Sequence, residues 1–291
     1  MRKHLESAVK MAFLAVGLEV RRARTFAGAG AGAGKANLKF ETRRDMLRST
    51  ILRNGDSEPA VIHAISDSET MMDGDLDRYL SVGVSALKAI HSIIGEWKPR
   101  TILDLPCGHG RVARHLAAAY PSAQLYVSDL DEEGAAFCAK TFEATELSSD
   151  ADFDAVHFEV KFDLIWVGSL ITHLSRDDVA KFFRFLFRHL SDDGVAIVTS
   201  HGEFVAGRIS GSQHCGKSLY GLSAEGEAEV VRDYFMTGFG FAPYHWSDSY
   251  GISVSSRQQI HKLADEARLT VTAYHGHAWD QHQDVSALRK K

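Results

Sequence analysis

Thr101-Ile-Leu-Asp-Leu-Pro-Cys-Gly-His-Gly110, followed by Arg111–Ala119 and then Gln124-Leu-Tyr-Val-Ser-Asp129, is the stretch whose reading decides the fold. Thr101–Leu105 is a short apolar run of the kind that forms a buried strand, and Pro106–Gly110 is a turn. Arg111–Ala119 carries Val112 and Leu116 on one helical face, and Gln124–Ser128 is a second strand ending at Asp129. Glycines at 108 and 110 let a backbone approach a ligand closely, and the helix that follows offers free N–H groups at its N-terminus. An acidic residue closing the second strand suits a pair of ribose hydroxyls. These parts describe a site for a nucleoside-containing cofactor at the carboxyl edge of a parallel sheet. Gly108-His-Gly110-Arg-Val-Ala113 also satisfies the dinucleotide pattern, with Asp129 about 20 residues on, so a nicotinamide dinucleotide is one candidate. Asp104, closing the first strand, points instead to a cationic or amine-bearing ligand.

Working outward, Phe162-Asp-Leu-Ile-Trp-Val-Gly-Ser169 reads as a further strand, trailed by His173-Leu174, and Leu190-Ser-Asp-Asp-Gly-Val-Ala-Ile-Val198 as a turn into the next one. Upstream, Leu80, Val84, Leu87, Ile90 and Ile94 share one face of a helix over Leu76–Ile94, which Gly95 and Pro99 end. Downstream, Ser256–Ala267 reads as a helix, with strands at Leu269–Tyr274 and Asp284–Leu288. Taken in this order, residues from about 76 to 289 resemble the class I S-adenosylmethionine-dependent methyltransferases. The nearest likeness is to bacterial enzymes acting on small molecules and glycans. Pro106 stands where the commonest family pattern has its first glycine, a position that need not adopt a positive φ.

The resemblance implies an α/β fold: a Rossmann-like, doubly wound, seven-stranded sheet in the order 3-2-1-4-5-7-6 with strand 7 antiparallel, preceded by an N-terminal helical extension. It implies S-adenosyl-L-methionine as cofactor. Asp104, Gly108 and Gly110 would hold the methionine moiety, with Pro106 and Cys107 shaping the loop. Asp129 would bind the ribose and Leu130 would pack on the adenine. Ser149 or Asp150 would meet the adenine amine, Gly168 and Ser169 would line the sulfonium, and Tyr79 and Gly83 could close over the carboxylate. Asp131 reads as the N-cap of a helix over Glu132–Thr141.

Methyl transfer to a hydroxyl needs alignment and a proton acceptor. Histidine suits that task near neutral pH. His173, just past strand four, and His201, just past strand five, are the catalytic candidates, among 15 histidines in all. Between about 203 and 255 an insertion rich in Tyr, Phe and Trp replaces a short connection. Long insertions at this edge serve as lids or binding loops. Its aromatic residues suit a sugar, an aryl ring or a lipid chain, so the acceptor class stays open between small molecule, glycan and lipid, with O-methylation the expected reaction.

The alternatives are an NAD-dependent oxidoreductase, which would need a second mononucleotide-binding half, and a non-catalytic S-adenosylmethionine-binding partner protein. The intact set Asp104, Gly108, Gly110 and Asp129 speaks against decay of the cofactor site. Gly168-Ser-Leu-Ile171 replaces the Asn-Pro-Pro-Tyr-like element of base amino-group methyltransferases. With Lys+Arg 33 against Asp+Glu 38, the net charge of -5 argues against a protein that coats nucleic acid, so no nucleic-acid partner is expected. Three cysteines are too few and scattered for a disulfide framework or a thiolate zinc site. His275, His277, Asp280 and His282 could suggest a metal, but the expectation is none. The apolar run Met11–Leu18 is too short to span a bilayer or to read as a signal peptide, so no transmembrane segment and a cytoplasmic location are expected. Residues 1–75 are read as an extension holding a helix over 4–24 and a Gly/Ala linker at Gly28–Gly34, for which a phosphate loop ending in Gly34-Lys35 is the weaker alternative. Residues 76–291 form the catalytic domain.

Overall fold

The computed structural model describes residues 61–213 and 218–291. The expected helix over 4–24, the Gly/Ala linker with its phosphate-loop alternative, and Cys215 lie outside them. Seven strands form one sheet: β1 (Thr101–Asp104), β2 (Gln124–Val127), β3 (Thr145–Glu146), β4 (Phe162–Val167), β5 (Leu190–Ser200), β8 (Leu269–Trp279) and β9 (Gln283–Lys290). Their order is β3-β2-β1-β4-β5-β9-β8. β1 pairs in parallel with β2 and β4, β4 pairs in parallel with β5, and β9 runs antiparallel to both β5 and β8. This is the sheet expected from the resemblance, with β9 as its antiparallel strand 7 and β8 as its strand 6.

Because helices cover both faces, the central strands read as continuous apolar runs rather than alternating ones. Their side chains still alternate between two cores. On one side Leu164, Trp166, Val195 and Ile197 meet helices α1 (Leu76–Ile94), α2 (Ala113–Ala119) and α3 (Glu132–Phe142). On the other, Ile165, Val167, Ala196 and Val198 meet α4 (Arg176–His189) and α7 (Arg257–Glu266). α4 starts at Ser175, whose side chain accepts the Asp178 N–H at 3.2 Å. It buries Val179, Phe182, Phe183 and Leu186, a spacing that lines one helical face.

The insertion has its own architecture. Helices α5 (Glu203–Gln213) and α6 (Ala224–Thr237) pack with an antiparallel pair, β6 (Phe239–Pro243) and β7 (Gly251–Ser255), around a separate core of aliphatic and tyrosine side chains. The hairpin was not legible in the aromatic composition of the segment.

Residues 61–75, read from sequence as part of the extension, contact the helices of the sheet domain. Arg114 is 1% exposed and its guanidinium donates to the carbonyls of Ile62 and Ala64, both at 2.9 Å. Ser68 donates to Glu133 at 2.5 Å. The stretch 61–75 is thereby strapped across α2 and α3. Among the described residues, no helix is long and apolar enough to cross a membrane.

Candidate functional site

The chain runs β1, β2, β3 outward on one side, then returns to place β4 and β5 on the other side of β1. At such a reversal the loops leaving neighbouring strands diverge and open a crevice at their carboxyl ends. A cleft of about 720 Å³, counting its open mouth, lies there. Its walls come from the loop after β1 (Asp104, Pro106, Cys107, Gly108), the end of β2 (Asp129), and the loop after β4 (Gly168, Ser169). Seven of the thirteen residues nominated for the cofactor from sequence thus meet in one place, and Gly110 stands behind the loop rather than on the wall.

Asp104 is 1% exposed; neither of its carboxylate oxygens makes a hydrogen bond of ordinary geometry, and the nearby Ala113 N–H is the one backbone donor drawing its pKa down. Burial, with the nearby Asp129 charge adding to it, pushes its carboxyl well above the usual carboxylate range. Asp129 is also buried, but its two oxygens accept the N–H of Gly108 at 2.7 Å and of Asp131 at 2.9 Å. Burial raises its pKa to about 6 against the pull of those two N–H groups. Each oxygen keeps a lone pair for another donor.

The loop between them needs its glycines. Gly108 has φ +49 and open space where a side chain would stand, which leaves its backbone accessible from the cleft. Gly110 has φ +84 and sits against Phe142, where a Cβ would come within 2.3 Å. Pro106 keeps a negative φ, as expected, after a cis Leu105–Pro106 bond. The Cys107 thiol is pushed up, first by its interaction with Cys138 and then by burial, which disfavours the reactive thiolate.

At the far end, Ser169 holds a left-handed backbone, φ +58. Its N–H donates to Thr199 Oγ1 at 2.8 Å, its hydroxyl accepts from Gln283 Nε2 at 2.5 Å, and its carbonyl accepts from Thr172 at 2.9 Å. Three hydrogen bonds from three elements hold the strained residue in place.

Other nominated residues lie elsewhere. Tyr79 is buried beneath the cleft and donates its hydroxyl to Glu69 at 2.5 Å; Glu69, not Tyr79, reaches the cleft wall. Gly83 is where α1 touches α2, since a Cβ there would fall 2.1 Å from the His115 ring, so its role is close helix packing. Leu130 is half-buried, as is Ser149, while Asp150 is exposed and accepts the Asp152 N–H at 2.9 Å; none of the three lines the cleft. His173 and His201 are each 1% exposed and also outside the cleft wall. His173 Nδ1 donates to the Gly251 carbonyl at 2.8 Å and His201 Nδ1 to that of Ser253 at 3.2 Å, so both rings hold β7 against the sheet edge. Asp131 caps α3, accepting the Gly134 N–H, and its other oxygen takes His109 Nε2 at 3.1 Å.

Sequence reasoning missed Glu69, Thr70 and Met71, which arrive from the strap, and Trp166 and Trp279, whose rings meet edge to face at 5.5 Å beside Gly168. Trp166 had a local signal, as an aromatic residue two positions before Gly168; the strap had none. His275-Gly-His277 is a bulged stretch of β8, where pairing with β9 shifts register and His277 takes φ +53. His282 Nδ1 donates to the Asp280 carbonyl at 3.0 Å. Among the described residues, no three His, Cys, Asp or Glu side chains converge as a metal site would require.

Residues 102–194 match a family model described as a methyltransferase domain. No curated protein sequence matches the chain. Two solved structures share the fold across most of it. One is the 1,6-didemethyltoxoflavin-N1-methyltransferase of Burkholderia thailandensis, solved with 1,6-didemethyltoxoflavin and S-adenosylhomocysteine bound. It is 13% identical over 90% of this chain and 93% of that one, with a TM-score of 0.52. The other is the PH0226 protein of Pyrococcus horikoshii OT3, 15% identical over 79% of this chain and 97% of that one, with a TM-score of 0.51. From β1 through the turn into β5, then, the chain matches a methyltransferase domain on a Rossmann-like sheet, and S-adenosylmethionine is the expected cofactor.

Proposed function

We propose that the chain methylates a hydroxyl group of a small organic acceptor. The observation that carries the cofactor half of this reading is Asp104. A buried carboxylate with two partnerless oxygens is costly unless a cation meets it, and the ammonium of the cofactor's methionine moiety is such a partner. Pro106, Cys107, Gly108 and Gly110 would shape the loop around that moiety. Asp129 keeps lone pairs for ribose hydroxyls. Leu130, with Ser149 or Asp150, would meet the adenine, and Gly168 and Ser169 the sulfonium. Bound S-adenosylmethionine supplies an electrophilic methyl carbon. The residues of this chain have to seat the acceptor, keep water out and take up the hydroxyl proton.

We assign proton uptake to His201. A carbonyl can only accept, so the bond to Ser253 fixes the hydrogen on Nδ1 and leaves a lone pair on Nε2, which has no partner. Burial, reinforced by His282, holds this ring well below the usual histidine range and so neutral, as a proton acceptor must be. His173, stacked on Tyr250 at 4.9 Å and tied to Gly251, positions the insertion.

Calorimetric titration with S-adenosylmethionine, S-adenosylhomocysteine and NAD, beside Asp129→Ala, tests the cofactor half. Binding of the first two that is lost in the variant is expected, and binding of NAD alone would overturn it. Transfer of labelled methyl groups to hydroxylated small molecules, glycans and lipids tests the rest; label appearing only on nitrogen would refute O-methylation.

A further inference from the structure

Where the end of β5 meets the insertion, four buried hydrogen-bonding groups have no partner: Ser200 Oγ, His201 Nε2, Tyr220 OH and Tyr244 OH. Their residues are between 1% and 3% exposed. Native proteins pair nearly all such atoms, so a concentration of exceptions calls for a physical reason.

The four belong to one neighbourhood. The His201 and Tyr220 rings lie 5.3 Å apart, and Tyr220 and Tyr244 share the insertion's core. Tyr244 stacks on Trp246 at 4.9 Å and lies 6.3 Å from His173. This neighbourhood adjoins the cleft. Thr199 holds the N–H of Ser169, a cleft residue, and His201 follows two positions along the same strand edge, about 7 Å of chain.

We propose that Ser200, His201, Tyr220 and Tyr244 form the subsite for the acceptor's reacting hydroxyl, and that the acceptor is an uncharged aromatic hydroxyl compound, a phenol. The proposal rests on the methyl-transfer reading above. All four groups are uncharged, so they match a neutral function. Few such groups are on offer, set among tyrosine, tryptophan and aliphatic side chains. A sugar brings more hydroxyls than four groups can satisfy, and each left over would be buried unpaired. A planar ring with one hydroxyl satisfies the groups, and its faces lie against flat side chains. In transfer, the acceptor O–H bond breaks as its oxygen bonds the methyl carbon. The proton ends on His201 Nε2, and the electron pair of the broken C–S bond stays on sulfur, giving an aryl methyl ether and S-adenosylhomocysteine.

The test uses the full chain saturated with S-adenosylhomocysteine, titrated with 2-naphthol by fluorescence. 2-Methoxynaphthalene and methyl β-glucoside serve as comparison probes. 2-Naphthol is expected to bind at least about tenfold more tightly than either, a difference of one lost or several unmatched hydrogen bonds. Tyr220→Phe and Tyr244→Phe should each weaken it about fivefold, and His201→Asn, which keeps a donor for Ser253, by at least as much. Because no hydrogen bond is lost, the two Phe variants should melt no lower than the parent without ligand. A merely structural hydroxyl would lower that melting temperature, and such a result overturns the proposal. Glucoside binding in preference to 2-naphthol overturns the acceptor class. Failure to bind S-adenosylhomocysteine refutes the cofactor reading, whereas tight S-adenosylhomocysteine binding with no 2-naphthol binding refutes this subsite alone.

Discussion

Replacing Asp104 with Asn separates a binding carboxylate from a structural one. Asn keeps the shape and removes the charge. In the ligand-free protein that carboxyl is 1% exposed, and burial, with a second carboxylate, Asp129, beside it, penalises its charged form enough to push its pKa well above the usual range. Relieving it should raise stability by about 1–2 kcal/mol, since an unpaired buried charge costs several kcal/mol and Asn retains part of the polar burden. For a domain of this size that is a rise of roughly 2–8 °C in Tm. Cofactor affinity should move the other way. Losing a charge-assisted contact to an ammonium in a dry cleft costs about 2–3 kcal/mol, a roughly 30- to 150-fold weaker Kd. Thermal melts without ligand and calorimetry with S-adenosylhomocysteine measure the two effects. An Asn variant that melts lower yet binds as tightly would show that Asp104 is paired in solution, and the cofactor assignment would lose its main support.

Gly110→Ala should lower stability by at least about 2 kcal/mol in urea titration, because φ +84 disfavours any side chain and the new Cβ would press on Phe142 at 2.3 Å. Arg114→Lys keeps the charge but cannot bridge the Ile62, Ala64 and Gly110 carbonyls. It should cost about 3 kcal/mol and open the strap to proteolysis; uncut protein would refute the strapping. Burial lowers the pKa of His173 to about 4, with its bond to Gly251 pulling the other way. The unfolded chain therefore binds a proton near pH 6.5 that the folded chain refuses until about pH 4. The stabilising contribution is complete above pH 6.5 and is lost as pH falls toward 4, about 3 kcal/mol in all. Asp129, raised to about 6, acts oppositely, its contribution being lost as pH rises from 3.8 through 6. His173→Gln should flatten the acid limb of a pH series of urea midpoints by that 3 kcal/mol; an unchanged limb would mean the ring is accessible to protons.

What the sequence made legible was local. The β1 turn, the apolar run of β4 and the helix over Leu76–Ile94 each carry their pattern within a few residues, and the sheet order came with the family likeness. β3 was not legible, because it is only two residues, Thr145 and Glu146, both exposed and so under no hydrophobic pattern. β8 runs five residues past Tyr274 because β9 continues to pair with it across bulges, and only pairing distinguishes that stretch from a loop. Glu69 reaches the cleft through its bond to Tyr79 and through the strap's bonds from Ile62 and Ala64 to Arg114, which join residues 10 and about 50 positions apart. No window of sequence contains such a contact.

The distribution of unsatisfied groups is what ties these parts to a reaction. Some buried polar atoms near this sheet edge are used up internally: Arg114 by four carbonyls, Ser169 by Thr199, Gln283 and Thr172. Two sets are not. One is the Asp104 carboxyl in the cleft, whose charge a cation would stabilise; the other is the neutral group around His201, behind the end of β5. Ser169 stands between them on the chain's path, held in a left-handed conformation that hydrogen bonds from three elements keep in place. A fold that needed only stability would have filled or removed both sets, since each is a site where hydrophobic replacement is favourable. Retaining a charged set for a cation and a neutral set for a hydroxyl, on either side of a rigid strained turn, is the arrangement an in-line transfer between two ligands requires.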